Sequence, residues 1–555
     1  MKKLVIFLSL SIFISVIGIS RNDSIVTNPH LENIATEKGN IPQEKTLSEK
    51  INDAFTPVVA FMSKILFWDP FAAMGVYDNK IYDDNGKIVL NDDGTPKTMK
   101  IPFVVVWLIL GALFFTFYMK FINIKGFKHA IDLIRGKYDN PKDKGEVSHF
   151  QALTTALSAT VGLGNIAGVA IAISIGGPGA TLWMIIAGLL GMSSKFVECT
   201  LGLKYRRIDK NGVVSGGPMY YLQDGLKKYK LGGLGKLLAI IFALLVIGGS
   251  FGGGNMFQAN QAFAQLSMII PSVNNYGAYF GILMAILVAV VVIGGIKSIA
   301  KVTDKIVPFM AIFYVVVALV IIFIKIRFFG DAIALIWNGA FSTTALKGGV
   351  IGVIIVGFQR AAFSNEAGVG SASIAHSAAK TPFPISEGMV ALLEPFIDTV
   401  IICTMTALVI IFTGYYNPAM AQGFDGSQLT SIAFGSIFSW FPFLLMIAIF
   451  LFAFSTMISW SYYGLNGFKF LFGKGINKIF KSQNATKNIY YIFFLGFVVV
   501  GAASNLGSVM DFSDMMILSM AFPNILGLII LAPEVKRDLN NYLQKLKSGE
   551  IKKYK

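Results

Sequence analysis

Cysteine and histidine are almost missing from this chain of 555 residues, which has two of the first and four of the second. Cys199 and Cys403 both sit inside apolar stretches, which excludes a disulfide scaffold and a Cys-x-x-Cys zinc site. His30, His129, His149 and His376 are scattered without metal-ligand spacing. Charge is scarce as well. Only 14% of residues are charged and 54% are hydrophobic, against about 25% and 45–50% in a soluble domain, so the bulk of the chain dissolves in lipid. No cysteine, histidine or paired acid is placed for a nucleophile–base pair or a metal cluster, which argues against a membrane-embedded enzyme. The net charge of +16 is not the mark of a nucleic-acid partner, because the Lys and Arg cluster in short loops between apolar runs.

The first 20 residues, MKKLVIFLSLSIFISVIGIS, pair two lysines with a short apolar run and small or polar residues from Gly18, the pattern of a signal peptide. Residues 21–100 read as an extracytoplasmic polar segment holding one amphipathic stretch, Ala54 to Met74, suited to lie on the membrane surface. Segments able to cross a core of about 30 Å follow at 101–122, 150–175, 180–204, 237–264, 278–296, 306–327, 348–377, 388–413, 434–463, 488–504 and 512–532. The expected fold is therefore all-α and polytopic, with about 11 transmembrane helices and a basic cytoplasmic tail over 533–555. Basic residues crowd alternate loops, such as Lys120 to Lys144, Lys204 to Lys230 and Lys469 to Lys487, while 414–434 and 503–511 have none. This bias predicts an N-terminus outside and a C-terminus in the cytoplasm; Lys325 and Arg327 run against it.

Two spans are interrupted by glycine and polar residues. The second reads TALSATVGLGNIAGVAIAI from Thr155, and the seventh reads VIIVGFQRAAFSNEAGVGSASIA from Val353. Hydrocarbon tolerates such breaks only where protein, water or ligand satisfies the freed backbone. Paired breaks in two halves point to a carrier's binding site near the midplane. Spans 2–6 (150–327) and 7–11 (348–532) form two sets of five, and an odd repeat unit inverts the second set relative to the first.

In the second span, Gly162 and Gly164 can leave helical geometry and Asn165 can coordinate or cap. Freed N–H groups at a half-helix start suit a carboxylate, and freed carbonyls suit Na⁺ or an ammonium. The same glycines, with Gly168, also suit close helix packing. In the seventh, Phe363, Ser364, Asn365, Glu366 and Gly368 place a carboxyl at membrane depth, where it costs at least about 2.5–3.5 kcal/mol unless paired. Glu366 could bind a cation, take a proton, lock against Arg360 or cap the second half-helix. Lys195 and Glu198 share a helix face as a self-satisfied pair, and Glu394 and Asp398 share another, suggesting a gate or an arginine partner. Asn255 and Gln258 lie on one face beside a glycine cluster, and Ser455, Thr456 and Ser459 offer the hard oxygens an alkali cation needs.

The motifs GNIAG, GPGA, GMSSKFVE, LGLKYR, GGPMYY, NMFQAN, FSNEAGVGSASIAH and FSTMISWSYYG resemble the alanine or glycine:cation symporter family, over about residues 55–532. That resemblance implies a leucine-transporter-like core of two inverted five-helix repeats and uptake of small neutral amino acids such as alanine or glycine with Na⁺. It implies no cofactor beyond the coupling ion, and residence in the plasma membrane of a prokaryote. A proton-coupled or broader amino-acid carrier using Glu366 is the alternative. The wider superfamily match implies that Leu163 and Gly164 N–H groups meet the substrate carboxylate and that Phe363 covers it. The Thr160 carbonyl, Asn165 and Ser364 would hold one cation. The carbonyls of Ser158 and Val161 and the hydroxyls of Ser455 and Thr456 would hold a second. Leu163 stands where family members commonly have a polar residue, and the long N-terminal extension also departs from the shortest members.

Overall fold

The computed structural model describes residues 46–80, 87–88, 90, 94–96, 98, 100–140, 142–341, 349–421, 423–482 and 484–554; the expected signal peptide lies outside them. The first element, α1 (Leu47–Leu66), is amphipathic and starts on a capping box in which Thr46 and Glu49 exchange bonds. Its inner face meets a late membrane helix through Phe55 against Phe512, 5.6 Å between rings, and Thr56 on Ser508 at 3.0 Å. Val58 and Phe61 face outward.

The membrane part follows from long apolar runs whose backbone bonds close internally. Among the described residues, eight helices are long and apolar enough to cross a membrane, and nine if a bent pair counts as one span. The bent pair is α3 (His149–Thr160) and the stretch Gly164–Gly176, whose regular part is α4 (Val169–Gly176); both follow the short apolar helix α2 (Phe103–Tyr118). Next come α5 (Ala180–Lys204), α6 (Gly232–Phe251) running into α7 (Phe257–Ile269), α8 (Gly277–Val292) and α9 (Gly295–Ile324). A two-residue antiparallel hairpin, Arg207–Ile208 with Val214–Ser215, sits between α5 and α6. In the second half α10 (Gly349–Asn365) and α11 (Ala372–His376) flank a break, followed by α12 (Pro384–Ala391) and α13 (Thr404–Phe412). A short α14 (Gly426–Gly435) precedes α15 (Phe441–Ile479), α16 (Ala485–Ala503), α17 (Leu506–Ser519) and α18 (Ala521–Lys547).

The outer surface is apolar where lipid is expected. On α9, Phe309, Ile312, Val316, Val320 and Phe323 are exposed at helical spacing, a stripe that water would penalise and hydrocarbon does not. The core is inverted in character, with Lys195, Glu198, Glu387, Glu394 and Asp398 all fully buried.

Helix limits differ from the hydropathy reading at several places; the sixth span, drawn at 306–327, starts at Gly295. The stretch 426–435 is a separate helix, so the ninth span starts at Phe441 and continues to Ile479 instead of ending near 463. The expected tail from 533 is helical to Lys547, because an amphipathic end keeps its backbone bonds after leaving the apolar layer. The fourth span, drawn at 237–264, covers Gly232–Ile269 and is widened by a π-type turn at Gly252–Met256.

Candidate functional site

The helix α3 begins on a second capping box, Ser148 with Gln151, and stops at Thr160. Val161 turns out of helical geometry, and Gly164–Gly168 resumes as a wide π-type turn, bending the span by 52°. The glycines here are required by close approach. A side-chain carbon on Gly162 would lie 2.4 Å from Thr456 Oγ1, and one on Gly164 would lie 3.2 Å from Ser364 Cα. Gly168 has open space instead. The break thus touches α15 on one side and α10 on the other.

Its freed N–H groups are taken up by side chains. Gly162 N donates to Asn165 Oδ1 at 2.9 Å and Leu163 N to Gln258 Oε1 at 3.1 Å. Gln258 is held in turn by its own donation to Gly253 O at 2.8 Å. Asn255, three residues earlier, turns away and donates to Phe494 O at 2.5 Å, so the two amides do not share a site.

Asn165 also reaches across the molecule. Its Nδ2 donates to Asp398 Oδ1 at 2.6 Å and to Asp398 O at 3.0 Å. Asp398 Oδ2 accepts from Ser364 at 2.9 Å and from Thr399 at 2.7 Å, and Asn365 donates to Thr399 at 2.9 Å. One carboxylate therefore ties the two broken spans together. The sequence suggested an arginine or a gate for Asp398 and Glu394; instead Asp398 meets amides and hydroxyls, and Glu394 meets Lys195 at 2.9 Å. Lys195 stands 3.8 Å from Glu198, so the expected local pair is part of a wider contact.

The second break runs from Glu366 to Ser371. Glu366 has φ +55°, and Gly368 and Gly370 have φ +81° and +97°, values that glycine adopts freely and glutamate does not. Trp460 Nε1 donates to Glu366 Oε1 at 2.9 Å, and Ser371 Oγ donates to Oε2. Asn524 donates to Gly368 O at 2.8 Å. Glu366 does not lock against Arg360, which pairs with Asp514 and lies over the Phe363 ring. Phe363 packs edge-on against Phe257 at 5.3 Å.

Of the residues considered for a cation, Ser158, named for its carbonyl, donates its hydroxyl to Ser455 O at 2.6 Å, and Ser455 donates to Phe452 O at 3.0 Å. Thr160 bonds back to its own helix at Ala156 O and Leu157 O. Thr456 Oγ1 and Ser459 Oγ differ: both are buried without a hydrogen-bond partner among the described residues, and Thr456 Oγ1 faces Gly162. An unpaired buried hydroxyl costs about 1–3 kcal/mol, so its position asks for a ligand. Sequence reasoning missed Trp460, Asp514 and Glu387, whose partners are far away along the chain; an isolated acid or indole in an apolar run was the available signal.

A multi-pass helical membrane protein with two interrupted spans joined at one buried centre has the architecture of a carrier, not of an enzyme. The chain belongs to the sodium:alanine symporter family, whose model matches residues 92–555. The sodium/alanine symporter AgcS of Methanococcus maripaludis is 39% identical over 436 residues, covering 78% of this chain and 92% of that protein. An uncharacterized transporter of Haemophilus influenzae is 38% identical, with 78% and 92% covered. The probable sodium/glutamine symporter GlnT of Bacillus subtilis is 34% identical, with 80% and 89% covered. The solved structure of MhsT in complex with L-phenylalanine is 14% identical with a TM-score of 0.48, over 71% of this chain and 98% of that one, a likeness too loose to define a fold.

Proposed function

We propose that this protein takes up a small neutral amino acid with Na⁺ by alternating access, in a prokaryotic plasma membrane. The reading keeps eleven spans, two inverted five-helix repeats, the N-terminus outside and the C-terminus in the cytoplasm. The observation that supports it most is the unpartnered Thr456 hydroxyl against Gly162, with the carbonyl-rich end of α3 and Ser158 and Ser455 beside it. These are oxygens, uncharged and buried, which suits a weakly polarising monovalent cation better than a transition metal.

The amino acid would lie along Gly162–Asn165 under Phe363. Its carboxylate would compete with Gln258 for the Leu163 N–H, so Gln258 would swing aside or turn its amide nitrogen toward the ligand. Glu366 already accepts two bonds from the protein, which leaves it a structural part in this reading. Relatives named for alanine and for glutamine leave the substrate's size open within the family.

The test is binding of radiolabelled alanine and glycine to purified protein with and without Na⁺. Saturable binding that needs Na⁺ is expected; binding indifferent to Na⁺ overturns the coupling. Reporter fusions check the orientation, with activity expected outside near Ser427 and inside near Lys478.

A further inference from the structure

Away from the glycine break, a second set of buried polar groups joins the ends of both broken spans. His149, the first residue of α3, donates or accepts through Nδ1 to Glu387 Oε2, and His376, the last residue of α11, meets Glu387 Oε1 through Nδ1 at 2.6 Å. The other nitrogen of His376 stands 3.6 Å from Glu394 Oε2, and Glu394 pairs with Lys195. The other nitrogen of His149 faces Asp139, 3.9 Å away on a partly exposed loop. The series reaches from the partly exposed Asp139 to the buried ammonium, hydrogen-bonded at Glu387 and at Glu394–Lys195 and separated by 3.9 Å and 3.6 Å at the other two steps. A cleft of about 330 Å³, lined by Tyr138, Asn140, Asp143, Thr381 and Ser386 among others, opens onto His149 itself.

Charge counting sets the protonation. Glu198, Glu387 and Glu394 are fully buried around Lys195, and Glu366 faces the same ammonium. Arg206 lies in electrostatic range of Glu387 while donating to the carbonyls of Ser377 and Ala379. Cys199, Tyr221 and Tyr463 also face the cluster and are neutral in their ordinary state, and His129 faces His149 from the loop side. Asp139 and Asp143 face His149 from the loop side as well, so acidic groups outnumber the two permanent cations. Uncompensated buried charge is expensive, and a proton on each of His149 and His376 offsets the excess around Glu387.

We propose that His149, Glu387 and His376 form a proton-binding site that fastens the two broken spans together at the face carrying the loop 120–144, and that a proton must leave before that end can open. In the release step the His149 Nε2–H bond breaks as water in the cleft that opens onto His149 takes the proton and becomes hydronium, and the imidazole becomes neutral. Glu387 is left with one cation fewer, its hold on α3 weakens, and water entering the widened cleft solvates the excess negative charge.

The first test needs no substrate, so it stands apart from the Na⁺-symport reading. In the purified protein with isotopically labelled histidine, nuclear magnetic resonance at about pH 8, where a free imidazole is neutral, should show two imidazolium ions. His129 is not among them, since burial pushes it down. His149→Gln and His376→Gln should each leave one signal, and Glu387→Gln should leave one as well. Four neutral rings in the wild-type protein overturn the proposal, whether or not a variant folds. The second test is the pH profile of uptake with pH varied at the cleft face. The rate should fall up to about tenfold per pH unit on the acid side, the slope of one proton, and His149→Gln, which removes the releasing imidazole, should flatten that limb. A folded His149→Gln protein with the wild-type profile overturns the gating step.

Discussion

The two broken spans solve one problem in opposite ways. At Glu366–Ser371 the freed backbone is closed by Asn524 on Gly368 O and by Asn365 on Ala367 N, Trp460 and Ser371 hold the Glu366 carboxylate, and the left-handed turn is carried partly by a glutamate. At Gly162–Asn165 the backbone is closed on one side by amides that can move, Asn165 and Gln258, and on the other it faces a hydroxyl with no partner. In the proposed reading the break closed by the protein is a joint and the one that keeps a loose oxygen is the site, so charge at membrane depth, the more conspicuous signal in the sequence, would mark the joint.

The largest expected effect that tests this contrast is Gly164→Val. Its branched side chain would press on Ser364, where even a single carbon sits 3.2 Å from the backbone. Overpacking costs about 1–3 kcal/mol and the carboxylate position is crowded as well, so alanine binding should drop at least about a hundredfold in a monodisperse protein. Near-normal binding would return both glycines to helix packing and erase the distinction.

Thr456→Val comes next. It keeps the side-chain shape and deletes the free oxygen, and losing such a contact to an ion costs about 1.5–3 kcal/mol. The Na⁺ needed for half-maximal uptake should rise about ten- to a hundredfold. Because coupling is reciprocal, apparent alanine affinity at low Na⁺ should fall too and recover as Na⁺ is raised.

Trp460→Phe acts on the other break. Removing the indole N–H leaves one Glu366 oxygen unmet, a loss of about 1.5–3 kcal/mol, and should lower the unfolding temperature by a few degrees with the Na⁺ requirement unchanged. A shift in Na⁺ dependence instead would make the second break part of the ion site. Smallest is Glu366→Gln, whose amide oxygen still accepts from Trp460 while Ser371 can turn to accept from the new nitrogen. Na⁺ dependence should persist. If this variant loses all cation dependence while Thr456→Val keeps it, the contrast inverts and a proton-coupled carrier using Glu366 becomes the better reading.

Both breaks were legible in the sequence, because glycine beside asparagine or glutamate inside an apolar run is a local signal. So was an amphipathic segment before the first span, although the sequence places it at Ala54–Met74 and the helix runs Leu47–Leu66. The partners were not. Arg360 and Asp514 are 154 residues apart, Lys195 and Glu394 are 199 apart, and His149 and Glu387 are 238 apart; one-dimensional spacing carries no trace of such contacts. Four histidines that look scattered along the chain place two on one carboxylate. The ends of α15 and α18 escaped for another reason, since hydropathy reports where lipid stops and not where a helix does.

The wide turn at Gly252–Met256 has a consequence for chain length. A π-type turn is an α-helix holding one residue more than its pitch needs, so the half-helices on either side keep their facing when that residue is removed. Deleting one of Gly252, Gly253 or Gly254 would straighten the fourth span while leaving Gln258 pointed at Leu163. The lining of the centre and the length of the span that carries it are therefore separable, and the three glycines are where this chain can lose a residue without turning its far end.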